Sequence, residues 1–302
     1  MNTKPTCWQQ WLIKSSYMRI DAALKMGTDQ LQQTSESARL DAEILLAHCL
    51  GKQHSYLYTW PEKRVSTTQL QTFESLLKQR LESYPIAYMT GFQAFWSLTL
   101  KVTPDVLIPR ADTELLVETA LDKLATLQTP KILELGTGSG AISLALATER
   151  PDSQIIATDY SLAALDVAKE NQQRLQFGNI QFIESDWFSN IPAQRFDLIV
   201  SNPPYIDPND DHLRQGIRHE PIQALISANK GLQDLTSIIQ QAPRFLNSAG
   251  WLMLEHGYDQ GIQVSTLLDA AAYQHVHCLK DLSGNDRINV AASPNQTSSS
   301  KS

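Results

Sequence analysis

The sequence predicts an α/β protein: a seven-stranded, mainly parallel sheet flanked by helices, preceded by a small helical bundle and joined to it by a β-hairpin. Three observations carry that expectation. Helical periodicity fills the first 84 residues, short apolar runs alternate with helical patterns from residue 111 onward, and one of those runs leads through a glycine-rich loop straight into a helix. A length of 302 residues suits two domains, and 42% hydrophobic residues are enough to give each a core.

Segment 1–84 repeats apolar residues at three- and four-residue spacing: Trp8, Trp11 and Leu12, then Ala38, Ala42, Leu45 and Leu46, then Leu70, Phe73, Leu77 and Leu81. Ser66, three residues ahead of Gln69, reads as a capping box that opens the last of these helices. Between Gly91 and Pro109 the period changes to two, with Leu98, Leu100 and Val102 alternating with polar residues before the turn at Pro104-Asp105. Residues 85–110 are therefore expected to form a hairpin linker and one wall of a cleft. From 111 to 292, strands are expected near 131, 154, 180, 196, 251, 275 and 287, the last two joined by a turn at Gly284-Asn285. The polar tail from Ser293 to Ser302 buries too little apolar area to order itself.

The chemistry is expected at the carboxyl ends of the strands, where open α/β sheets bind ligands. The strand at 131–135 runs into Gly136, Thr137, Gly138, Ser139 and Gly140 and then into a helix ended by Pro151. Glycines let a backbone approach a ligand closely, and a helix start offers N–H groups to a carboxylate or phosphate. The spacing G-x-G-x-G departs from the dinucleotide fingerprint G-x-G-x-x-G, which counts against NAD. One strand later Asp159 has the place and residue type of a ribose ligand, with a helix cap ahead of Ser161 as the plainer reading. After the third strand come Asp186, able to accept from an exocyclic amine, and Trp187, which either covers a purine face or packs in the core.

The fourth strand, 196–200, leads into Asn202, Pro203, Pro204 and Tyr205. Proline fixes its own φ and holds the preceding residue extended, so the turn is a stiff acceptor array. The Asn202 side-chain oxygen and the Pro203 carbonyl can each take one N–H of a planar NH2 group, with Tyr205 as a stacking face. An amide nitrogen is a poor nucleophile, and holding it in line with an electrophile removes several kcal/mol of barrier. Together the strand ends supply places for a carboxylate, a ribose, an adenine and a substrate NH2, and S-adenosylmethionine with an amide or amine acceptor fits all four.

A net charge of −7 argues against a protein that grips nucleic acid by neutralising phosphates. Cys7, Cys49 and Cys278 give neither a disulfide framework nor a zinc spacing, and His275 and His277 lack further ligands at suitable spacing, so no metal is expected. No run reaches membrane-spanning length and no leader pattern is present, so a reducing cytoplasm is the expected compartment.

The chain resembles the bacterial protein-(glutamine-N5) methyltransferases of the HemK/PrmC family. The resemblance runs from Asp41-Ala-Glu-Ile-Leu-Leu46 to Asp286-Arg287 and includes Pro85-Ile-Ala87, Thr90-Gly91, Phe95-Trp96, Leu107-Ile-Pro-Arg110 with Asp112-Thr-Glu114, Glu134-Leu-Gly-Thr-Gly-Ser-Gly140, Ser185-Asp-Trp-Phe188, Asn202-Pro-Pro-Tyr-Ile206, Glu220-Pro221, Leu254-Glu-His-Gly257 and Gly284-Asn-Asp-Arg287. It implies the class I S-adenosylmethionine-dependent methyltransferase fold, and methylation of the glutamine of the Gly-Gly-Gln motif in class-1 peptide chain release factors. An amino-terminal domain that helps hold the release factor, and a monomer that engages neither nucleic acid directly nor a membrane, belong to the same expectation.

Two departures stand out. Ala111 replaces the proline that usually follows the arginine, and Gly216-Ile-Arg-His-Glu-Pro221 is one residue short of the family's loop at the substrate entrance, with His219 in place of an aromatic. Arg110 has two readings, one facing the cleft or the release factor and one pairing with Asp112 or Glu114. Alternatives to the release factor are a ribosomal protein, an adenine-N6 nucleic-acid substrate, since such methyltransferases share Asn-Pro-Pro-Tyr, and a non-catalytic scaffold that binds the cofactor.

Overall fold

The computed structural model describes residues 18–214 and 217–294, without the side chains of His212 and Arg214. Trp8, Trp11, Leu12, Cys7, Gly216 and the tail from residue 295 lie outside the described residues. The chain divides into two compact units after Gly91.

In the first unit a short strand β1 (Met18–Arg19) pairs antiparallel with β2 (Arg64–Val65), around helices α1 (Ile20–Leu31), α2 (Ala38–Leu50) and α3 (Ser55–Thr59). They are followed by α4 (Thr67–Leu81) and α5 (Ile86–Thr90). Ala38, Ala42, Leu45, Leu46, Leu70, Phe73 and Leu77 are all buried in one cluster, as the periodicity predicts. Leu81 is not: it is the last residue of α4 and is exposed. The capping box forms, with Gln69 N donating to Ser66 Oγ at 3.3 Å and Ser66 N to Gln69 Oε1 at 3.1 Å. Residues 86–90, expected within the linking hairpin, are instead a helical turn of the first unit, capped by Pro85 and ended by Gly91 at φ +78°.

The second unit opens with the hairpin β3 (Phe92–Phe95) and β4 (Leu98–Lys101). The main sheet follows, as β5 (Lys131–Leu135), β6 (Gln154–Asp159), β7 (Ile180–Glu184), β8 (Phe196–Ser201), β9 (Leu246–Glu255), β10 (Gln274–Lys280) and β11 (Asp286–Ala292). The intervening helices are α6 (Glu114–Leu124), α7 (Ala141–Glu149), α8 (Leu162–Leu175), α9 (Gln233–Gln241) and α10 (Gly261–Ala270). The strand order is β10-β11-β9-β8-β5-β6-β7. β5 to β9 pair parallel, and β11 runs antiparallel to both its neighbours.

Both faces of this sheet are covered, so its strands are apolar on both sides. Ile132, Leu198, Val200, Met253 and Ile288 face a cluster with α6 and α7, whereas Leu133, Ile199, Leu252, Leu254 and Ala291 face a second with α9 and α10. Each such buried Val, Leu, Ile or Met side chain contributes about 1.5–3 kcal/mol. Ser293, expected to open a disordered tail, is buried, and its N–H donates to the Gly250 carbonyl at 2.8 Å.

The fold positions the site through its topology. The strand order reverses at β5, whose neighbours β6 and β8 lead away in opposite directions. Leu135 pairs with Thr158 on one side and with Ser201 on the other, so the glycine loop, Asp159 and Asn202 leave adjacent strands at one edge. A crevice at such a reversal is where ligands bind in these sheets.

Candidate active site

A cleft of about 260 Å³ opens at that edge, lined by Gly136, Thr137, Gly138, Ser139, Asp159, Asp186, Trp187, Asn202 and Pro204 among others. Gly136, Gly138 and Gly140 all adopt left-handed backbone, at φ +71°, +55° and +84°. That is a region side chains with a Cβ rarely enter. Thr137 N donates to the Thr158 carbonyl at 2.8 Å, tying the loop to β6. Gly140 does not line the cleft, because it serves packing: a Cβ there would stand 3.0 Å from Leu144 Cδ1 and 3.4 Å from Ala168 Cβ.

Asp159 braces the loop. Its Oδ2 accepts from Gly138 N at 2.8 Å and its Oδ1 from Ser161 N at 2.9 Å, while Ser161 itself caps α8 through Ala164 N. Asp159 thus lines the cleft and also holds Ser161, the residue that caps the next helix. Burial raises its carboxyl pKa. Trp187 likewise does two things: its indole stands over Gly136 in the cleft and packs against the second core, and its Nε1 donates to Asp234 Oδ1 at 3.3 Å.

Sequence reasoning missed Glu134. It is 1% exposed at the end of β5, and its Oε2 accepts from Thr137 Oγ1 at 2.7 Å and from Ser143 N at 3.0 Å. Its Oε1 has no hydrogen-bond partner, and burial pushes the carboxyl pKa up to about 7. An unpaired carboxylate oxygen beside a glycine loop calls for a cation, and the ammonium of an amino-acid group is one. With Asp159 for a diol and the Trp187 face for a purine, the residues present fit S-adenosylmethionine.

The Asn202–Tyr205 turn is held on several sides. Asn202 Nδ2 donates to Thr113 Oγ1 at 3.2 Å, which leaves Oδ1 as the acceptor. Ser201 Oγ donates to the Leu135 carbonyl at 2.7 Å, and Gln260 Nε2 to the Tyr205 carbonyl at 3.0 Å. Asn202 and Pro204 line the cleft, while Pro203 is buried and stands outside its lining. Tyr205, expected as a stacking face, also stands outside it. Its ring packs against the second core and its hydroxyl donates to Glu255 Oε1 at 3.4 Å, which turns the side chain away from the cleft.

Arg110 pairs with neither Asp112 nor Glu114. Its guanidinium donates to the buried Glu220, whose other oxygen accepts from Ile108 N at 3.1 Å. Asp112 instead lies 3.3 Å from Arg287, and Glu114 accepts from Trp96 N at 2.7 Å. The pair ties the stretch 105–110 to the end of the short loop before Pro221, and the cleft is lined by residues of 105–110 on one side and by Pro221, Gln223 and Ala224 on the other. The cleft wall expected of the hairpin is thus the stretch that follows it, while β4 packs on α8, with Lys101 N donating to Asn171 Oδ1 at 2.7 Å.

Among the described residues no group of three or more His, Cys, Asp or Glu side chains is placed to hold a metal ion.

Residues 22–91 match the PrmC N-terminal domain family, and residues 128–290 a methyltransferase domain family. The release factor glutamine methyltransferase of Vibrio cholerae is 49% identical over 274 residues, covering 90% of this chain and 96% of that protein. That of Escherichia coli is 47% identical over 268 residues, covering 88% and 96%. Among solved structures, the hMettl16 catalytic domain superposes with a TM-score of 0.53 at 16% identity, covering 66% of this chain and 76% of that one. A Thermus thermophilus 16S rRNA N2 methyltransferase in complex with AdoMet and guanosine superposes with a TM-score of 0.50 at 19% identity, covering 67% and 49%. These likenesses are of fold, and the fold is that of class I S-adenosylmethionine-dependent methyltransferases. On the identities and coverage of its relatives, the chain belongs to the release factor glutamine methyltransferase family.

Proposed function

We propose that this enzyme transfers the methyl group of S-adenosylmethionine to the side-chain N5 of the glutamine in the Gly-Gly-Gln motif of class-1 peptide chain release factors, and so supports translation termination in the cytoplasm. The observation that carries the reading is the Asn202 amide at the edge of the cleft. With Nδ2 committed to Thr113, its Oδ1 is left to accept an N–H from a planar donor.

When bound, S-adenosylmethionine supplies an electrophilic methyl on a positively charged sulfur. The chain's own residues do the rest. Glu134 and the glycine loop hold the amino-acid end, Asp159 the ribose, and Asp186 with Trp187 the base. Asn202 Oδ1 and the Pro203 carbonyl orient the glutamine NH2, and Tyr205 with its apolar neighbours keeps the turn rigid and dry. The new N–C bond forms as the C–S bond breaks, and the nitrogen releases one proton to solvent. Orientation, rather than a strong side-chain base, supplies most of the acceleration.

In this reading residues 111–292 carry the chemistry, and the helical domain at the amino terminus docks the release factor. Incubation with methyl-labelled cofactor and, in parallel, a release factor, the same factor with the motif glutamine replaced by alanine, ribosomal proteins and DNA tests it. Label is expected on the intact release factor alone; label on the glutamine-replaced factor, or only on ribosomal protein or DNA, overturns it.

A further inference from the structure

Trp187 reaches the cleft from a backbone that a side chain of its size rarely adopts. Its φ is +46°, and among the cleft-lining residues with a Cβ it alone has left-handed backbone. Neighbouring groups hold it there. Ser185, buried at the end of β7, donates through Oγ to the Trp187 carbonyl at 2.8 Å and accepts from Asn190 N at 3.0 Å. The next residue, Phe188, is buried and stacks on Phe245 with ring centroids 4.8 Å apart. A strained residue kept at a ligand cleft points to a use for the side chain it displays.

The ring delivered by this backbone has one polar atom. Indole Nε1–H is a donor only, and it donates to Asp234 Oδ1 at 3.3 Å. The χ2 torsion of tryptophan is broad and roughly two-fold, so an indole without a fixed acceptor can turn over about that bond. An acceptor at one edge selects one orientation. In the one selected here, Cζ3 and Cη2 of the ring lie 3.7 and 3.9 Å from where a Cβ on Gly136 would stand, which sets the indole over the start of the glycine loop.

Asp234 is itself placed by the fold. It lies in the first turn of α9 and lines the cleft, its N–H donates to Ser227 Oγ at 3.1 Å, and Ser227 N donates to the carbonyl of Ile206 at 3.0 Å. The acceptor for the indole is thus tied to the residue that follows the Asn202–Tyr205 turn. An acid in the first turn of a helix also complements the helix dipole, but that role makes no use of Trp187.

We infer that Asp234 is a positioning residue for cofactor binding: its carboxylate locks the Trp187 indole in the orientation that presents a flat face to the purine of S-adenosylmethionine. The inference rests on the placement of that purine at Trp187 proposed above. Asp234 acts through the indole N–H, so its effect on affinity depends on that N–H being present.

The test measures Kd for S-adenosylmethionine by calorimetry in wild type, Trp187→Ala, Trp187→Phe, Asp234→Ala, Asp234→Asn and the Trp187→Phe/Asp234→Ala double variant, with urea denaturation of each. A side chain left free must be ordered on binding at a cost of about fivefold to tenfold in affinity, and Asp234→Ala should raise Kd by that factor. Asp234→Asn loses the charge but keeps an acceptor oxygen, so its Kd should stay within about twofold of wild type. On the Trp187→Phe background, which has no N–H, adding Asp234→Ala should change Kd by less than about twofold. An unchanged Kd in Asp234→Ala, an Asp234→Asn as weak as Asp234→Ala, or the full loss repeated on the phenylalanine background would overturn the inference. If Asp234→Ala does not fold, Asp234→Ser, whose oxygen falls one bond short of the indole, is read by the same thresholds. Should Trp187→Ala weaken binding and Asp234→Ala leave it unchanged, this inference alone fails. A Trp187→Ala that binds as tightly as wild type removes the purine placement it rests on as well.

Discussion

Gly231 lies directly beneath the Asn202–Tyr205 turn, and replacing it with alanine should damage that turn in a measurable way. Its φ is +80°, and a Cβ built there overlaps the Tyr205 carbonyl oxygen and comes within 2.7 Å of Gln260 Nε2, the group that donates to that same carbonyl. Gly284, in the turn between β10 and β11, has nearly the same φ, +84°, but open space around its Cβ position. Alanine in left-handed backbone costs about 1–2 kcal/mol at either position. The gain from a stiffer unfolded chain, about 0.4–1 kcal/mol, is common to both. Overpacking adds about 1–3 kcal/mol at Gly231 alone. Urea denaturation should therefore show Gly231→Ala less stable than Gly284→Ala by about that overpacking increment. Relieving the overlap means moving backbone, and a displacement on the order of 1 Å at a reacting centre costs about a hundredfold in rate. Gly231→Ala should thus lose kcat steeply, and Gly284→Ala should keep it. Equal stabilities for the two variants, or an unimpaired kcat in Gly231→Ala, would refute the claim that the rear of the turn is packed solid.

Three further outcomes follow from the same geometry. Arg110→Ala leaves the buried Glu220 without its counter-charge, so stability should fall on the order of 2 kcal/mol, less than for a fully buried pair because Arg110 is partly exposed; calorimetry should also show weaker cofactor binding, and a neutral result on both counts contradicts the tie between stretch 105–110 and the loop before Pro221. Asp159→Ala removes the acceptor of the Gly138 and Ser161 N–H groups, so Kd for S-adenosylmethionine should rise tenfold to a hundredfold, from about 1.5–3 kcal/mol per charge-assisted contact, with kcat at saturation nearly kept; an unchanged Kd removes the ribose assignment. Glu134 ionises near 4.5 in the unfolded chain but only near 7 in the folded one, so the cofactor-free enzyme should lose stability as pH rises from about 4.5 to 7 and level off above; the Glu134→Gln variant should lack up to about 3 kcal/mol of that slope, and parallel curves would contradict it.

What could be read in the sequence was what is local. The glycine loop, Asp159, Asp186 and Asn202 each follow a short apolar run, and parallel register alone brings strand ends together, so naming the strands nearly names the site. The long-range partners that tie these segments together could not be read that way. Thr113 lies 89 positions before Asn202, Glu220 lies 110 positions after Arg110, and Glu255 lies 50 after Tyr205. For Arg110 the sequence offers two nearer carboxylates, yet the turn at Ala111–Thr113 sends Asp112 to Arg287 and Glu114 to the Trp96 backbone, and Glu220 is the acid left facing it. Leu81 and Gly140 show the other limit of pattern reading: an apolar residue at the right spacing can overrun the core, and a glycine in a binding loop can be there for the helix behind it.

The central claim is that the Asn202 amide orients the glutamine nitrogen, and Asn202→Ala addresses it with two numbers, kcat for methyl transfer to a release factor and Kd for S-adenosylmethionine. The account predicts a kcat lowered at least a hundredfold beside a Kd within threefold of wild type. A variant that keeps its turnover, or loses affinity in step with it, would contradict the account.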